Sequence, residues 1–266
     1  MESFKTKGNY DFEDLVSIIR LLRSEDGCPW DREQTHESIK KNLIEETYEV
    51  IEAINKKDDD LLLEELGDLM MQVVFHSEMA AEKGKFDIHD VSDAVCKKLV
   101  LRHPHVFGDV EVNDVEDVLS NWDSIKRKTK GHKTTVSAMD SVPRELPALM
   151  RSTKIQKKAK EAGFDWQDIT GVLEKLDEET AELKAAISSE DYTSIGEELG
   201  DLLFTLTNLS RFTGHDAEEA LTESTDKFVK RYAVVEELAL KEGINLKKAD
   251  LSQLNRLWDI AKRQQG

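Results

Sequence analysis

Four acidic residues recur in this chain as a set, twice and at one spacing, and that recurrence restricts both its architecture and its chemistry. Glu46 and Glu49 lie in LIEETYEVIEAI, followed by Glu65 and Asp68 in LLEELGDLMMQVVF. Glu179 and Glu182 lie in LDEETAELKAAI, followed by Glu198 and Asp201 in IGEELGDLLFTLTNL. Nineteen residues separate Glu46 from Glu65, and nineteen separate Glu179 from Glu198. Within each pair the acids are three apart, which places them on one face of a helix. Carboxylates among apolar residues are costly to bury without compensation. A bound cation is the usual compensation, so the pattern predicts a duplicated, metal-dependent enzyme. Solvated helix faces are the plainer alternative for an isolated pair. They account poorly for a repeated set that also keeps Gly67 and Gly200 in register. Glycine is disfavoured within a helix unless something approaches the backbone there.

The repeat favours two domains in a length of 266 residues. With 39% hydrophobic residues, 13 Gly and 4 Pro, the composition suits packed helices better than strands. A net charge of −18 disfavours polymeric nucleic acid as a partner. It is compatible with a small nucleotide, whose phosphates Mg²⁺ can bridge to acidic side chains. Cys28 and Cys96 suffice for neither a disulfide framework nor a cysteine zinc site, so a reducing cytoplasm is expected. The opening MESFKTKGNYDFEDL has no signal-peptide core, and no apolar run reaches the length of a membrane span.

Hydrophobic periodicity predicts helices over 11–24, 36–56, 60–83, 88–101 and 114–128, with loops at EDGCPWDREQT and RHPHVFGD. A polar stretch ending in Pro143 and Pro147 then reads as a linker, at about 127–147. The plan restarts with helices over 147–162, 168–188, 190–213, 216–242 and 251–264. The expected architecture is all-α: two tandem four-helix-type bundles from internal duplication, 1–135 and 136–266.

Two acids from each of two antiparallel helices can converge on a hard cation, Mg²⁺ or Mn²⁺. Iron sites of this type use Glu-x-x-His on two helices; here Glu33 and His36 have that spacing once, in a loop. Glu45, Glu64, Glu178 and Glu197 adjoin the pairs as outer groups, a general base, or plain surface acids. Downstream of the acids, each half carries Lys and Arg four apart, Lys98 with Arg102 and Lys227 with Arg231. Each half then carries Trp and Lys four apart, Trp122 with Lys126 and Trp258 with Lys262. Such groups can grip phosphates and stack on a base; singly, they also suit an ordinary helix surface or core. Trp30 and Trp166 precede the acid helices and are expected in the core, with a pocket wall as the alternative. His103 and His105 read as a loop turn.

These residues carry a resemblance. EETYE with EELGD, repeated as EETAE with EELGD, together with GCPWD, LRHPHVFGD and PALMRSTKIQKKAKEAGFDW, resembles the MazG-type nucleoside triphosphate pyrophosphohydrolases over nearly the whole chain. The resemblance implies dimeric all-α bundles. It implies Mg²⁺-dependent hydrolysis of nucleoside triphosphates to monophosphate and pyrophosphate, with broad base tolerance. It places metal on Glu179, Glu182, Glu198 and Asp201, and nucleotide on Lys227, Arg231, Trp258 and Lys262. Either a cluster carboxylate, Glu178 or Glu197 would take the proton of the attacking water. The C-terminal half is the active one in such relatives, yet this chain keeps Glu46, Glu49, Glu65, Asp68, Lys98, Arg102, Trp122 and Lys126 as a possible second site. Two other readings stay open: a non-catalytic dimeric module that binds nucleotides or a protein partner, and a dUTP- or dCTP-specific pyrophosphatase of the same all-α group.

Overall fold

The computed structural model describes residues 5–112, 114, 115, 117, 118, 121, 122, 125 and 134–265. Every regular element among them is a helix, and they fall into two compact units, 1–130 and 131–266.

The first unit begins with α1 (Phe12–Arg23), whose N-terminus is closed reciprocally by Asp11 and Asp14. A single helical turn, α2 (Pro29–Glu33), follows where a loop was predicted, started by a proline that needs no N–H partner. The helix predicted from residue 36 begins later, as α3 (Lys40–Lys56). Thr35 and Ser38 cap each other's backbone N–H through their hydroxyls, at 2.9 and 3.2 Å, and hold 35–38 as a turn. Lys57 then takes the left-handed conformation (φ 55°), and Asp58 caps α4 (Asp59–Glu82) by accepting from Leu61 N. That tight reversal lays α4 antiparallel to α3. α5 (Ile88–Arg102) and a short α6 (Pro104–Phe107) complete the described helices up to residue 107. The segment read as a loop turn around His103 and His105 thus contains a proline-started helical turn. Of the helix predicted at 114–128, the described residues Val115, Asp117, Val118, Asn121, Trp122 and Ile125 are helical. Lys126 lies outside the described residues.

The first core gathers Val16 and Ile19 of α1, Ile39, Val74, Phe75 and Met79 of α4, and Ile88 of α5. Each such side chain contributes about 1.5–3 kcal/mol on burial. Arg23 stitches the rim. Its buried guanidinium donates to both Glu82 carboxylate oxygens (2.6 and 2.8 Å) and to the carbonyls of Asp31 and Gln34.

The second unit opens inside the predicted linker. α7 (Thr135–Asp140) is capped reciprocally by Thr134 and Ser137, and Val142 beyond it is buried. The stretch 134–142 is therefore packed structure, because the capping pair and an apolar anchor outweigh its polar composition. α8 (Ala148–Glu161), α9 (Ile169–Ser188) and α10 (Tyr192–Thr213) follow. The α9–α10 reversal repeats the first: Glu190 is left-handed (φ 56°) and Asp191 caps α10. α11 (Ala217–Glu242) and α12 (Leu251–Gln265) bury Val235, Ala239, Leu257 and Ala261 between them. Buried polar groups join α8 to α10: Gln156 Nε2 donates to Phe204 O (2.7 Å) and Thr207 Oγ1 (2.9 Å). Arg211 clasps Asp165 through both guanidinium nitrogens.

Both acid hairpins leave large apolar side chains in the open. Ile44, Tyr48 and Ile51 of α3, Leu66 and Met70 of α4, and Leu199, Leu203 and Phe204 of α10 are all exposed. Large apolar side chains left exposed in numbers are characteristic of surfaces that meet another molecule.

Candidate active site

The two tight reversals make each acid helix pair a hairpin, and each hairpin brings three of its four acids together. Carboxylate oxygens of Glu179, Glu182 and Glu198 lie within 4.8 Å of one another, and so do those of Glu46, Glu49 and Glu65. Among the described residues these are the two groups of three or more potential ligands that gather so closely. Asp68 and Asp201 stand outside the triads, but near enough for their charges to act on Glu46 and Glu198 respectively.

Charge crowding is visible in the protonation of the site. Burial, followed by the charge of Asp68, pushes the Glu46 carboxyl above its ordinary range. Burial, then Glu49, does the same to Glu65, and burial, then Glu182, to Glu198. Hard cations take carboxylate oxygens at about 2.0–2.1 Å for Mg²⁺, so ligand oxygens on one ion lie about 3–4 Å apart. A small contraction of either triad reaches that range, and the all-oxygen donor set matches Mg²⁺ or Mn²⁺.

The two sites differ in one respect that sequence reasoning missed. In the second, Lys175 reaches Glu179 (2.6 Å) and Glu178 (2.9 Å). Glu179 is only 3% exposed, so an ammonium in contact makes its burial tolerable. The bond to Glu179, then that to Glu178, raises the Lys175 pKa. The residue four before Glu46 is Asn42, which brings no such charge. In its place Gln72, buried and one turn beyond Asp68, donates to Glu46 at 3.4 Å. The i, i+4 step from Lys175 to Glu179 was the available signal.

The basic and aromatic residues assemble separately from the acids. Phe228 and Trp258 pack with centroids 5.2 Å apart, and Phe228 and Tyr232 stack at 6.0 Å. Trp258 also covers the α11–α12 core. Lys227 is exposed, Arg231 is half-buried with its Nε unpartnered, and Lys262 pairs with Asp259 (2.7 Å). In the first unit the Arg102 guanidinium lies 5.7 Å from the Trp122 ring centre, and Lys98 is exposed. Among the described residues no hydrogen bond or ion pair links these groups to the acid triads. Glu45, Glu64 and Glu197 are exposed.

Trp30 and Trp166 correct the expectation of core positions: they are 61% and 38% exposed. Proline-started α2 turns Trp30 outward. Trp166 lies over the first turn of α9, where its ring occupies the space a Cβ on Gly171 would need. The glycines that follow the second acid pair's first glutamate, Gly67 and Gly200, have no such neighbour. A Cβ added at Gly67 or Gly200 meets nothing within 4 Å, so no part of this chain demands close approach there.

Fold and site together define a duplicated all-α protein with a carboxylate triad on a helical hairpin in each half. A family model, described as the MazG nucleotide pyrophosphohydrolase domain, matches residues 34–107 and 167–235, the segments that carry the two hairpins. The nucleoside triphosphate pyrophosphohydrolase/pyrophosphatase MazG of Thermotoga maritima is 48% identical over 251 residues, spanning 94% of this chain and 95% of its own. The nucleoside triphosphate pyrophosphohydrolase of Escherichia coli is 43% identical over 254 residues, 94% of this chain and 97% of its own. YabN of Bacillus subtilis, an uncharacterized protein, is 44% identical over 254 residues, but these make up only 52% of its length. The chain belongs to the MazG nucleotide pyrophosphohydrolase family of hydrolases.

Proposed function

We propose that the chain hydrolyses nucleoside triphosphates between the α and β phosphates, releasing monophosphate and pyrophosphate with broad base tolerance, in a Mg²⁺-dependent reaction housed in its C-terminal half. The carrying observation is the triad of Glu179, Glu182 and Glu198, with Glu179 buried against Lys175. The activity named for the Thermotoga and Escherichia relatives supports the same reading.

The residues divide the work. Glu179, Glu182 and Glu198, with Asp201 beside them, hold the cation. Mg²⁺, or Mn²⁺ in its place, supplies charge neutralisation for the phosphates and an acidified water. Lys227 and Arg231 bind phosphate oxygens and offset the charge that builds on departing pyrophosphate. Trp258 stacks on the base, a contact that tolerates any base, and Lys262 holds a further phosphate once released from Asp259. A cluster carboxylate, Glu178 or Glu197 takes the proton from the attacking water. The exposed apolar faces are covered by a second copy, making a homodimer. The first-half triad, with Asp68, Lys98, Arg102, Trp122 and Lys126, is a second site of the same kind without the Lys175 contact. Net charge of −18 opposes polymeric nucleic acid as partner. Among the described residues no helix is long and apolar enough to cross a membrane, and we place the enzyme in the cytoplasm.

Pyrophosphate release from a panel of ribo- and deoxynucleoside triphosphates, with and without Mg²⁺, tests the reading on the full chain. Glu179→Gln with Asp201→Asn should lower turnover by a factor of about 10² or more, the scale of a lost catalytic contact. Unchanged turnover in that variant would remove the C-terminal site. Mg²⁺-nucleotide binding without turnover in the unaltered chain would indicate a binding module. Turnover confined to dUTP and dCTP would indicate a pyrimidine-specific enzyme.

A further inference from the structure

His36 precedes α3, and His76 lies two turns beyond Asp68 on α4. Their Nδ1 atoms are 2.8 Å apart, and their rings are parallel within 2° with centroids at 5.1 Å. We propose that this pair is a proton-sensitive latch fastening the segment that leads into α3 onto α4, so that the first unit loosens on acidification. The inference is independent of the catalytic reading, since neither ring touches an acid triad.

A bond between two imidazole nitrogens requires one N–H donor and one bare acceptor, so it holds a single proton. Protonating the acceptor ring turns both facing nitrogens into donors and breaks the bond. Where His76 is instead the donor, its protonation places a second, charged N–H on Nε2, which is buried with no partner, next in the chain to the core residue Phe75. Both routes cost free energy that the unfolded chain does not incur. Burial, followed by the neighbouring His36 ring, accordingly holds the His76 pKa below its ordinary value. A folded state that resists protonation is favoured above the ordinary histidine range, near about 6.5, and loses that advantage as pH falls through and below it.

The charged surroundings do not rescue the pair. Glu37 adjoins His36 in the chain, and its carboxyl is held low mainly by its own backbone N–H and by Thr35, with His36 a lesser influence. On α4, Glu78 and Glu82 are committed to Arg20 and Arg23 of α1. α3 begins with Lys40 and Lys41, which oppose a second positive charge. At the start of α5, Asp87 and Asp90 cap the helix N-terminus and His89 follows Asp87. Among the described residues none of these groups bonds to either ring. What the latch holds is specific. Ile39, three residues past His36, is buried in the first core, and α3 has no side-chain cap, so the ring pair and Ile39 together seat its first turn. That helix carries Glu46 and Glu49.

Side-chain NMR of the full chain, titrated from about pH 8 to about pH 5, reads the histidines directly. His76 should titrate below the ordinary histidine value. Amide exchange, corrected for its intrinsic pH dependence, should show several-fold loss of protection over residues 36–46 across the same range. The double variant His36→Phe with His76→Phe keeps two aromatic rings of similar size and removes both titrations. It should keep its protection on acidification. An ordinary pKa for His76, or the same pH-dependent loss in the double variant, overturns the proposal. Should the double variant not fold, the titration of the unaltered chain decides alone.

Discussion

At the scale of single residues, Lys175 and Glu179 show how a helix hairpin tolerates a buried carboxylate before any ligand arrives. Glu179 is almost fully enclosed, and the ammonium in contact with it stands in for the charge a cation would bring. Lys175→Met should therefore lower the denaturation midpoint of the second unit in metal-free buffer, with added Mg²⁺ restoring much of the loss. Thermal melts with and without Mg²⁺ would show it; equal loss in both conditions would mean that Lys175 acts only through packing. Asn42 occupies the corresponding place in the first half, so its triad has no internal counter-charge to lose. The acid pairs were readable because residues three apart share a helix face. Lys175 stood on that same face, but a lysine four residues from a glutamate in so charged a chain is commonplace, and only its contact with a buried partner distinguishes it.

At the scale of elements, both acid hairpins turn through one left-handed residue followed by an aspartate cap, Lys57 with Asp58 and Glu190 with Asp191. The reversals were legible as polar breaks between apolar runs. The late start of α3 and the extra turns α2, α6 and α7 were not. They depend on side chains that bond the local backbone, Thr35 with Ser38 and Thr134 with Ser137, rather than on periodicity. Glycines in α9 and α10 make a sharp contrast. Gly171→Ala would place Cβ 2.3 Å from Trp166 Cδ1, so the ring must move, at about 1–2 kcal/mol. Gly200→Ala meets nothing within 4 Å and should gain up to about 1 kcal/mol of helix propensity in the isolated protomer. Urea unfolding at concentrations low enough to keep the chain monomeric separates the two; a loss at Gly200 of the same size would contradict the open environment.

At the scale of the whole molecule, the exposed apolar side chains of the acid helices are the surface that a second copy would cover. Leu66 and Leu203 are 45% exposed, next in the chain to Gly67 and Phe204 respectively. Leu66→Glu and Leu203→Glu, singly and together, should shift the chain from dimer to monomer by tenfold or more in dissociation constant, about 1.4 kcal/mol or above. Sedimentation equilibrium measures it, and an unaltered chain that is already monomeric would refute the dimer. The sequence by itself determined the all-helical class, the duplication and the acid pairs, because those follow from residues near one another in the chain and from a repeated register. Only tertiary structure decided that Asp68 and Asp201 stand outside the closest gatherings, that Trp30 and Trp166 face outward, and that His36 meets His76 forty residues away. These depend on how far each helix is rotated about its axis and how closely its partner approaches, quantities that no local periodicity encodes.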